Sequence, residues 1–363
     1  MLFAVFTGSY AAYFAYLRSY ASKEWRLKID KEFSPSVTIL VPAHNEEKVI
    51  HAKLENLTEV SYPQEKMEVV LIDDASTDKT LEKARNFSRI HPEFPIKVLA
   101  QNKRRGKASA LNKGLELASN DFVIVTDADS FWPPNALRTA LPYMSDASVG
   151  AISGRGVALN SKESWVTRSE KSYLSFMALL RLGESKIHST IRFEGCLCVF
   201  RRCAFDEFDS VSGADDSGTA LRVVQNRYRA IFVPEAYAFS EFPEDFGSRM
   251  KVKARRAVHL TGLWFQCLRL LLSRRLVLPK RIAIPEIFVS IFNPIIFVVL
   301  ACTTLVLVIS YPLSLIPLTL AFLICGLIPQ VRTYFLNGIL DQLILFYSVV
   351  RSVRRKKIVS WEK

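Results

Sequence analysis

The sequence predicts an α/β fold: a doubly wound, mostly parallel sheet, with transmembrane and interfacial helices at both ends. Three observations carry this. Short β-branched runs alternate with helical stretches from Val37 to Ser153, the pattern of strand–helix–strand units. The run Phe122-Val123-Ile124-Val125 leads straight into Thr126-Asp127-Ala128-Asp129, and so short an apolar run reads as a strand buried on both faces. Half of the 363 residues are hydrophobic and the mean hydropathy is +0.15, with the apolar excess gathered at the two ends around an ordinary α/β region.

At the N-terminus, residues 1–17 carry no charged side chain, and Arg18 and Lys23 follow. That length barely reaches the roughly 17 to 25 residues that a membrane helix needs. The basic residues come after the apolar run, the reverse of a secretory signal, so a span with its N-terminus outside is expected, with a buried or interfacial helix as the alternative. Val37 to Pro42 is the first strand. A helix is expected from about Asn45, with Glu46 and Glu47 suiting its first turn. Met67 to Ile72 is the second strand and ends in Asp73-Asp74, and Ser76 or Thr77 is placed to cap the next helix. Ile96 to Leu99 is the third strand.

Asn102-Lys103-Arg104-Arg105-Gly106-Lys107 opens a further helix. Basic side chains and a glycine at a helix N-terminus make an anion site or, equally, a solvated basic turn. The P-loop spacing is missing. After the acidic strand end, Pro133-Pro134 interrupts the chain. Val149 to Ser153 and the segment from Glu194 to Arg202 read as strands, with residues 160–192 helical between them. Ala214-Asp215-Asp216 opens a helix to about Asn226, and Arg229 to Val233 is a strand ended by Pro234.

Six cysteines without framework spacing argue against a disulfide-stapled secreted fold. Cys196, Cys198 and Cys203 lack a second ligand cluster, and read as buried thiols ahead of a metal site. The net charge of +13 points to anionic lipid ahead of nucleic acid. Ten Lys and Arg fall between Arg249 and Arg281 and five between Arg351 and Lys357, beside apolar segments, as cytoplasmic membrane flanks require.

From Ala257 to Leu272, His259, Gly262, Gln266 and Arg269 recur at steps of three or four, opposite Leu263, Trp264 and Leu268. This predicts an amphipathic interface helix, with Trp264 at headgroup depth. Ile287–Ile309 and Tyr311–Ile328 read as spans. Leu336–Val350 is short and holds Asn337, Asp341 and Gln342, costly in lipid, so an interfacial or re-entrant segment is expected there. The organisation expected is therefore 1–20 N-terminal transmembrane helix, 36–245 cytoplasmic α/β domain, 246–282 basic amphipathic interface helices, 283–350 C-terminal transmembrane or re-entrant region and 351–363 basic cytoplasmic tail.

Three acid pairs stand at element ends: Asp73/Asp74, Asp127/Asp129 and Asp215/Asp216. Carboxylates at the carboxyl ends of parallel strands lie where open α/β sheets bind ligands. Hard oxygen donors there suit Mg²⁺ or Mn²⁺ against a diphosphate, and another carboxylate can act as a general base. With Val41-Pro42-Ala43-His44-Asn45-Glu46, Gly106-Lys107-Ala108-Ser109-Ala110-Leu111-Asn112, Gly195 ahead of Phe200-Arg201-Arg202, and Pro234-Glu235-Ala236, these pieces form an ordered set over about 36–258. In this set the chain resembles the family 2 glycosyltransferases with a GT-A fold.

The resemblance implies a membrane-bound, inverting enzyme that moves a sugar from a UDP- or GDP-sugar to a lipid-linked or polyprenyl-phosphate acceptor at the cytoplasmic face, with Mn²⁺ or Mg²⁺. It implies that Pro42, Ala43, Glu46 and Asp74 line the nucleoside pocket, that Lys107 lies near the pyrophosphate and Asp127 near the ribose or sugar. Asp129 would be the metal ligand and Asp216 the catalytic base, with Asp215 where glutamate is commoner in the family. Processive polysaccharide synthases of the family carry Gln-x-x-Arg-Trp on the helix entering the membrane. Here that stretch reads Lys253-Ala254-Arg255-Arg256-Ala257-Val258-His259, without the Gln or the Trp. Arg255 and Arg256 either grip the diphosphate or anchor the chain to anionic lipid. Single transfer is favoured over processive synthesis, and a non-catalytic scaffold or transporter is the remote alternative.

Overall fold

A computed structural model describes residues 2–159, 165–210, 214–243, 245–311 and 329–354. The expected span Tyr311–Ile328 falls almost wholly outside these residues, as does the end of the basic tail. The chain divides into two compact units: one comprises Leu17–Ser161 and Met177–Phe242, the other Met1–Tyr16, Lys162–Phe176 and Pro243–Lys357.

The first unit is organised on a mixed eight-stranded sheet. Strands β1 (Val37–Ala43), β2 (Met67–Asp73), β3 (Ile96–Ala100) and β4 (Phe122–Val125) are parallel, in the order β3-β2-β1-β4. Every residue of β1, β2 and β4 is buried, which is why they read as unbroken apolar runs. The register sets Ala43 beside Asp73 and Asp73 beside Ala100, so these strands present their carboxyl ends together. Helices α2 (Ile50–Thr58), α3 (Thr80–Ile90) and α4 (Lys107–Leu117) connect this half.

Beyond β4 the sheet becomes mixed. With β5 (Ser130–Phe131), β6 (Val149–Ala158), β7 (Cys198–Arg201) and β8 (Arg229–Ser240), the order continues β4-β7-β6-β8-β5. Strand β7 is antiparallel to β4 and β6, β6 and β8 are parallel, and β5 closes the edge antiparallel to β8. The expected mostly parallel character thus holds in the β3-β2-β1-β4 half and in the β6–β8 pair. Pro234 does not end β8. The ladder shifts register there, from Ser153 opposite Phe232 to Arg155 opposite Tyr237, which accommodates a residue that has no N–H to donate. Helices α5 (Ala136–Ala140), α6 (Trp165–Ile187) and α7 (Asp215–Gln225) complete the α/β part.

Two helices start later than expected. Asn45 is left-handed, at φ 56°, so α2 begins at Ile50. The Glu46 and Glu47 amides donate instead to Thr80 Oγ1 (2.7 Å) and Asp78 Oδ2 (3.1 Å). Ser76 and Thr77 do not cap α3. Ser76 Oγ accepts from the Asn45 amide (3.0 Å), and the Thr77 amide donates to Asn45 Oδ1 (2.8 Å). The loops after β1 and β2 are thus stitched to each other.

In the second unit, α8 (Phe246–Leu272) is capped by Asp245, which accepts from the Ser248 amide at 2.8 Å. It is amphipathic, and Trp264, expected at headgroup depth, is buried by the rest of the chain. Next, α9 (Lys280–Ile287) runs through a π-turn into α10 (Asn293–Ser310). The stretch Lys280–Ser310, 31 residues with mean hydropathy 2.5 in its best window, is the one helix among the described residues long and apolar enough to cross a membrane. It contains the expected span Ile287–Ile309. Helix α1 (Leu2–Ala21) forms as expected but falls short of that measure.

The expected short segment 336–350 lies inside one continuous 25-residue helix, α11 (Pro329–Val353). Among the described residues, three of its polar side chains have the following partners. Asp341 Oδ1 pairs with Lys253 Nζ at 2.9 Å, Gln342 Nε2 donates to Tyr10 Oη at 2.8 Å, and Ser348 Oγ lies 2.7 Å from Thr261 Oγ1. Such pairing is what polar groups need on an otherwise apolar helix.

Candidate active site

The carboxyl ends of β1, β2 and β4 meet the N-termini of α4 and α7 in the sheet unit. Asp127 and Asp129 follow β4, and Asp215 and Asp216 open α7. Four residues from three separate motifs converge. Lys107 Nζ lies 2.8 Å from Asp127 Oδ1, 3.2 Å from Asp215 Oδ2 and 3.1 Å from Asp216 Oδ2. The lysine side chain is 8% exposed. Burial works against its charge, but the three carboxylates hold its pKa well above the ordinary lysine value. Asp215 Oδ2 is within ion-pair distance yet lacks hydrogen-bond geometry, and Asp216 Oδ1 has no hydrogen-bond partner.

Asp216 is the residue whose chemistry this cluster changes most. Burial raises its carboxyl pKa, and Asp215 and Asp127 raise it further against the pull of Lys107, to about 7. A carboxylate with that affinity for a proton suits a general base near neutral pH. Three carboxylates face one ammonium, which leaves an acid excess.

Gly195 makes the convergence possible. A Cβ there would lie 2.5 Å from Lys107 Nζ, 2.7 Å from Asp216 Oδ2 and 2.8 Å from Asp127 Oδ2. The Gly195 carbonyl accepts from the Asp127 amide at 3.1 Å. Its neighbour Glu194 is held by buried Arg181 (2.6 Å) and by the Gly156 amide (3.0 Å).

The remaining pair, Asp73/Asp74, does not join the cluster. Asp74 accepts from the Arg105 and Gly106 amides at 2.8 and 2.7 Å. It thereby shapes the basic loop that leads into α4, where Gly106 takes φ 91°, a region that favours glycine. Asp73 Oδ2 accepts from the Ser76 amide at 3.1 Å. Pro42 and Ala43 are buried at the end of β1, and Glu46 is buried in the stitched loop. Lys107, expected near a pyrophosphate, is paired with the acids here. Arg255 and Arg256 lie on α8 in the other unit, Arg256 exposed.

Sequence reasoning overlooked Lys53. It sits in the buried stripe Ile50, Lys53, Leu54 and Leu57 of α2, and a lysine on an apolar stripe was the available signal.

The donor chemistry fits a divalent ion that arrives with a substrate. Among the described residues, no group of three His, Cys, Asp or Glu side chains is placed to hold an ion alone. One or two carboxylates plus substrate phosphate oxygens is the usual arrangement for such ions, and Asp129 is exposed beside the acid cluster.

Residues 38–208 match the model of Glycosyl transferase family 2. Those residues form a glycosyltransferase family 2 domain. The chain is 29% identical over 228 residues to a probable glycosyltransferase, YdaM, of Bacillus subtilis, which covers 61% of this chain and 54% of the relative. It is 33% identical over 141 residues to a beta-monoglucosyldiacylglycerol synthase of Nostoc sp., covering 39% of this chain and 30% of the relative. The match therefore spans about half or less of the length of these curated relatives. Among solved structures, mannosyltransferase PcManGT from Pyrobaculum calidifontis, in complex with GDP-Man and Mn²⁺, is similar over 98% of both chains, with 29% identity and a TM-score of 0.82. The mixed sheet around the family 2 domain has the GT-A arrangement.

Proposed function

We propose that the protein is an inverting glycosyltransferase that moves a sugar from a nucleotide sugar to a lipid-linked or polyprenyl-phosphate acceptor at the cytoplasmic face of the cell membrane. The observation that carries this is the convergence of Asp127, Asp215 and Asp216 on Lys107, at the strand ends where the sheet binds ligands. Asp216 accepts the proton of the acceptor hydroxyl as that oxygen attacks the anomeric carbon. The bond to the diphosphate breaks on the opposite side, through an oxocarbenium-like centre. Inversion is assigned from the family resemblance, with Asp216 as the single base.

Pro42, Ala43, Glu46 and Asp74 border the nucleoside, the last through the loop it shapes. Asp127 faces the ribose or sugar. Lys107 and the N-terminus of α4 meet the diphosphate. Mn²⁺ or Mg²⁺, held by Asp129, would neutralise charge on the departing diphosphate. Arg255 and Arg256 are assigned to the diphosphate or to anionic lipid.

The lipid acceptor and membrane location are supported by the apolar helix Lys280–Ser310, whose Leu305, Val306 and Ile309 are 60–71% exposed. The glycolipid synthase activity in the Nostoc relative's name agrees with it. The missing Gln and Trp in the α8 stretch favour single transfer. The P. calidifontis structure makes GDP-mannose the first donor to test and Mn²⁺ the first metal.

Thermal-shift measurements against a UDP- and GDP-sugar panel, with and without Mn²⁺, test the reading. One donor is expected to raise Tm by several degrees, more with Mn²⁺, since a ligand at ~100 times its Kd adds about 2.7 kcal/mol. A flat response to every donor overturns the proposal. Gly195→Ala is expected to lower kcat by roughly 10²-fold through displacement of Lys107 and Asp216, with the far-UV circular dichroism spectrum unchanged. Undiminished kcat in that variant would show that the cluster needs no such clearance.

A further inference from the structure

Lys53 is fully buried in the sheet unit, on the α2 stripe otherwise made of Ile50, Leu54 and Leu57. Packing alone does not call for a charge there. Leucine or methionine would fill the space, whereas a buried ammonium is costly unless it is bonded. It is bonded, and to a particular target. Its Nζ donates to Thr126 Oγ1 at 2.9 Å and to the Ser130 carbonyl. These two residues bracket the acidic turn Asp127-Ala128-Asp129.

The anchoring extends further. Thr126 Oγ1 donates to the Cys196 carbonyl at 3.0 Å, and that carbonyl also accepts from Trp132 Nε1 at 2.9 Å. The ammonium lies 4.8 Å from the centre of the Trp132 ring, within cation–π range. Trp132 is fixed in turn by Asn56 of α2, through bonds of 2.7 and 2.8 Å to its amide and carbonyl. Helix α2, the acidic turn and the lead-in to β7 that carries Gly195 are thus tied together around one ammonium. Burial pulls the Lys53 pKa down to about 7, while Asp127, Asp129 and Cys196 act to raise it.

We infer that Lys53 is a positioning residue for the acidic turn, anchoring both of its ends from beneath so that Asp127 and Asp129 stand ready for a divalent ion. This rests on the metal assignment to Asp129. Lys53 touches neither donor nor ion, so its effect is on where the carboxylates stand.

The test is Mn²⁺ binding to the full-length protein in the presence of GDP or UDP, read from the electron paramagnetic resonance signal of free Mn²⁺. Lys53→Met keeps the volume and removes the donors. It is expected to weaken Mn²⁺ binding by about 10-fold or more, in the range seen when groups that orient metal ligands are removed. Nucleotide binding without metal should stay close to wild type. A folded Lys53→Met protein with wild-type Mn²⁺ affinity overturns the inference, because a purely structural role lowers Tm without moving the affinity.

If Lys53→Met does not fold, Thr126→Val removes one anchor and leaves the lysine in place. A loss of roughly 3-fold is expected, a fraction of the full effect, with Thr126→Ser restoring the affinity. Unchanged binding in Thr126→Val overturns the inference by that route. Wild-type protein that binds no Mn²⁺ with either nucleotide overturns the metal assignment and this inference with it. The two failures are therefore distinct.

Discussion

Asp216→Asn is expected to reduce sugar transfer by about 10²- to 10⁴-fold, the span of a lost general base, while nucleotide-sugar binding stays within a few-fold of wild type. The amide keeps the shape of the carboxylate but cannot take a proton. In the wild-type protein, transfer should fall as pH drops through about 7, where Asp216 becomes protonated. The same shift makes a second, opposite prediction about stability. The carboxyl pKa is raised from 3.8 to about 7 on folding, so its ionisation opposes the folded state. That penalty is absent below the unfolded value, grows between the two and is complete above the folded value. Asp216→Asn should therefore have a higher Tm than wild type at pH 8, and the gain should vanish towards pH 4. A variant with wild-type turnover would remove Asp216 from the mechanism, whatever its Tm.

Lys107→Met is expected to do the reverse to stability. It leaves Asp127, Asp215 and Asp216 without their shared cation in a site where the lysine is 8% exposed. Removing one partner from a buried ion pair costs about 3 to 5 kcal/mol, which for a chain of this size lowers Tm on the order of 10 °C. Without the lysine, the Asp216 carboxyl pKa rises further above its unfolded value, so the Tm deficit should widen as pH is raised from 5 to 8. Transfer should be lost as well, because Asp216 then holds its proton at neutral pH. Tm and single-turnover rates measured across that range check both effects. A deficit that shrinks with rising pH would contradict the electrostatic account.

Much of this was legible in the residues, for reasons that differ by element. Strands β1, β2 and β4 are covered on both faces, so they read as apolar runs, and Asp73/Asp74 and Asp127/Asp129 fall at or just past the ends of β2 and β4. The direction of β7 was not legible. Cys198-Val199-Phe200-Arg201 states that a strand exists, but only its partners Phe122–Val125 and Ala151–Ser153 make it antiparallel. The starts of α2 and α3 were misplaced because Asn45 and Ser76 satisfy each other across 31 residues. Local capping rules cannot register such a bond.

The site divides along the same line. Acids at element ends are a local signal and were found. That Lys107 would reach Asp216, 109 residues away, is set by the order of the sheet. The burial of Trp264 was not legible for a related reason: amphipathic spacing identifies a helix face, but what covers that face is decided by residues elsewhere in the chain.

The triple pairing of Lys107 also bears on how the protein lives between turnovers. Acids gathered for catalysis normally repel one another while the site waits for substrate. Here a tethered cation sits among them from the moment the chain folds, and it cannot diffuse away. Under the proposed assignment, loading the donor would resemble ion exchange: the diphosphate would draw Lys107 Nζ towards itself and leave the carboxylates free to hold a divalent ion. The chain's own lysine thus offsets part of the charge of the idle site, and under the proposed assignment Asp216 would be freed as the base once a diphosphate takes over that lysine.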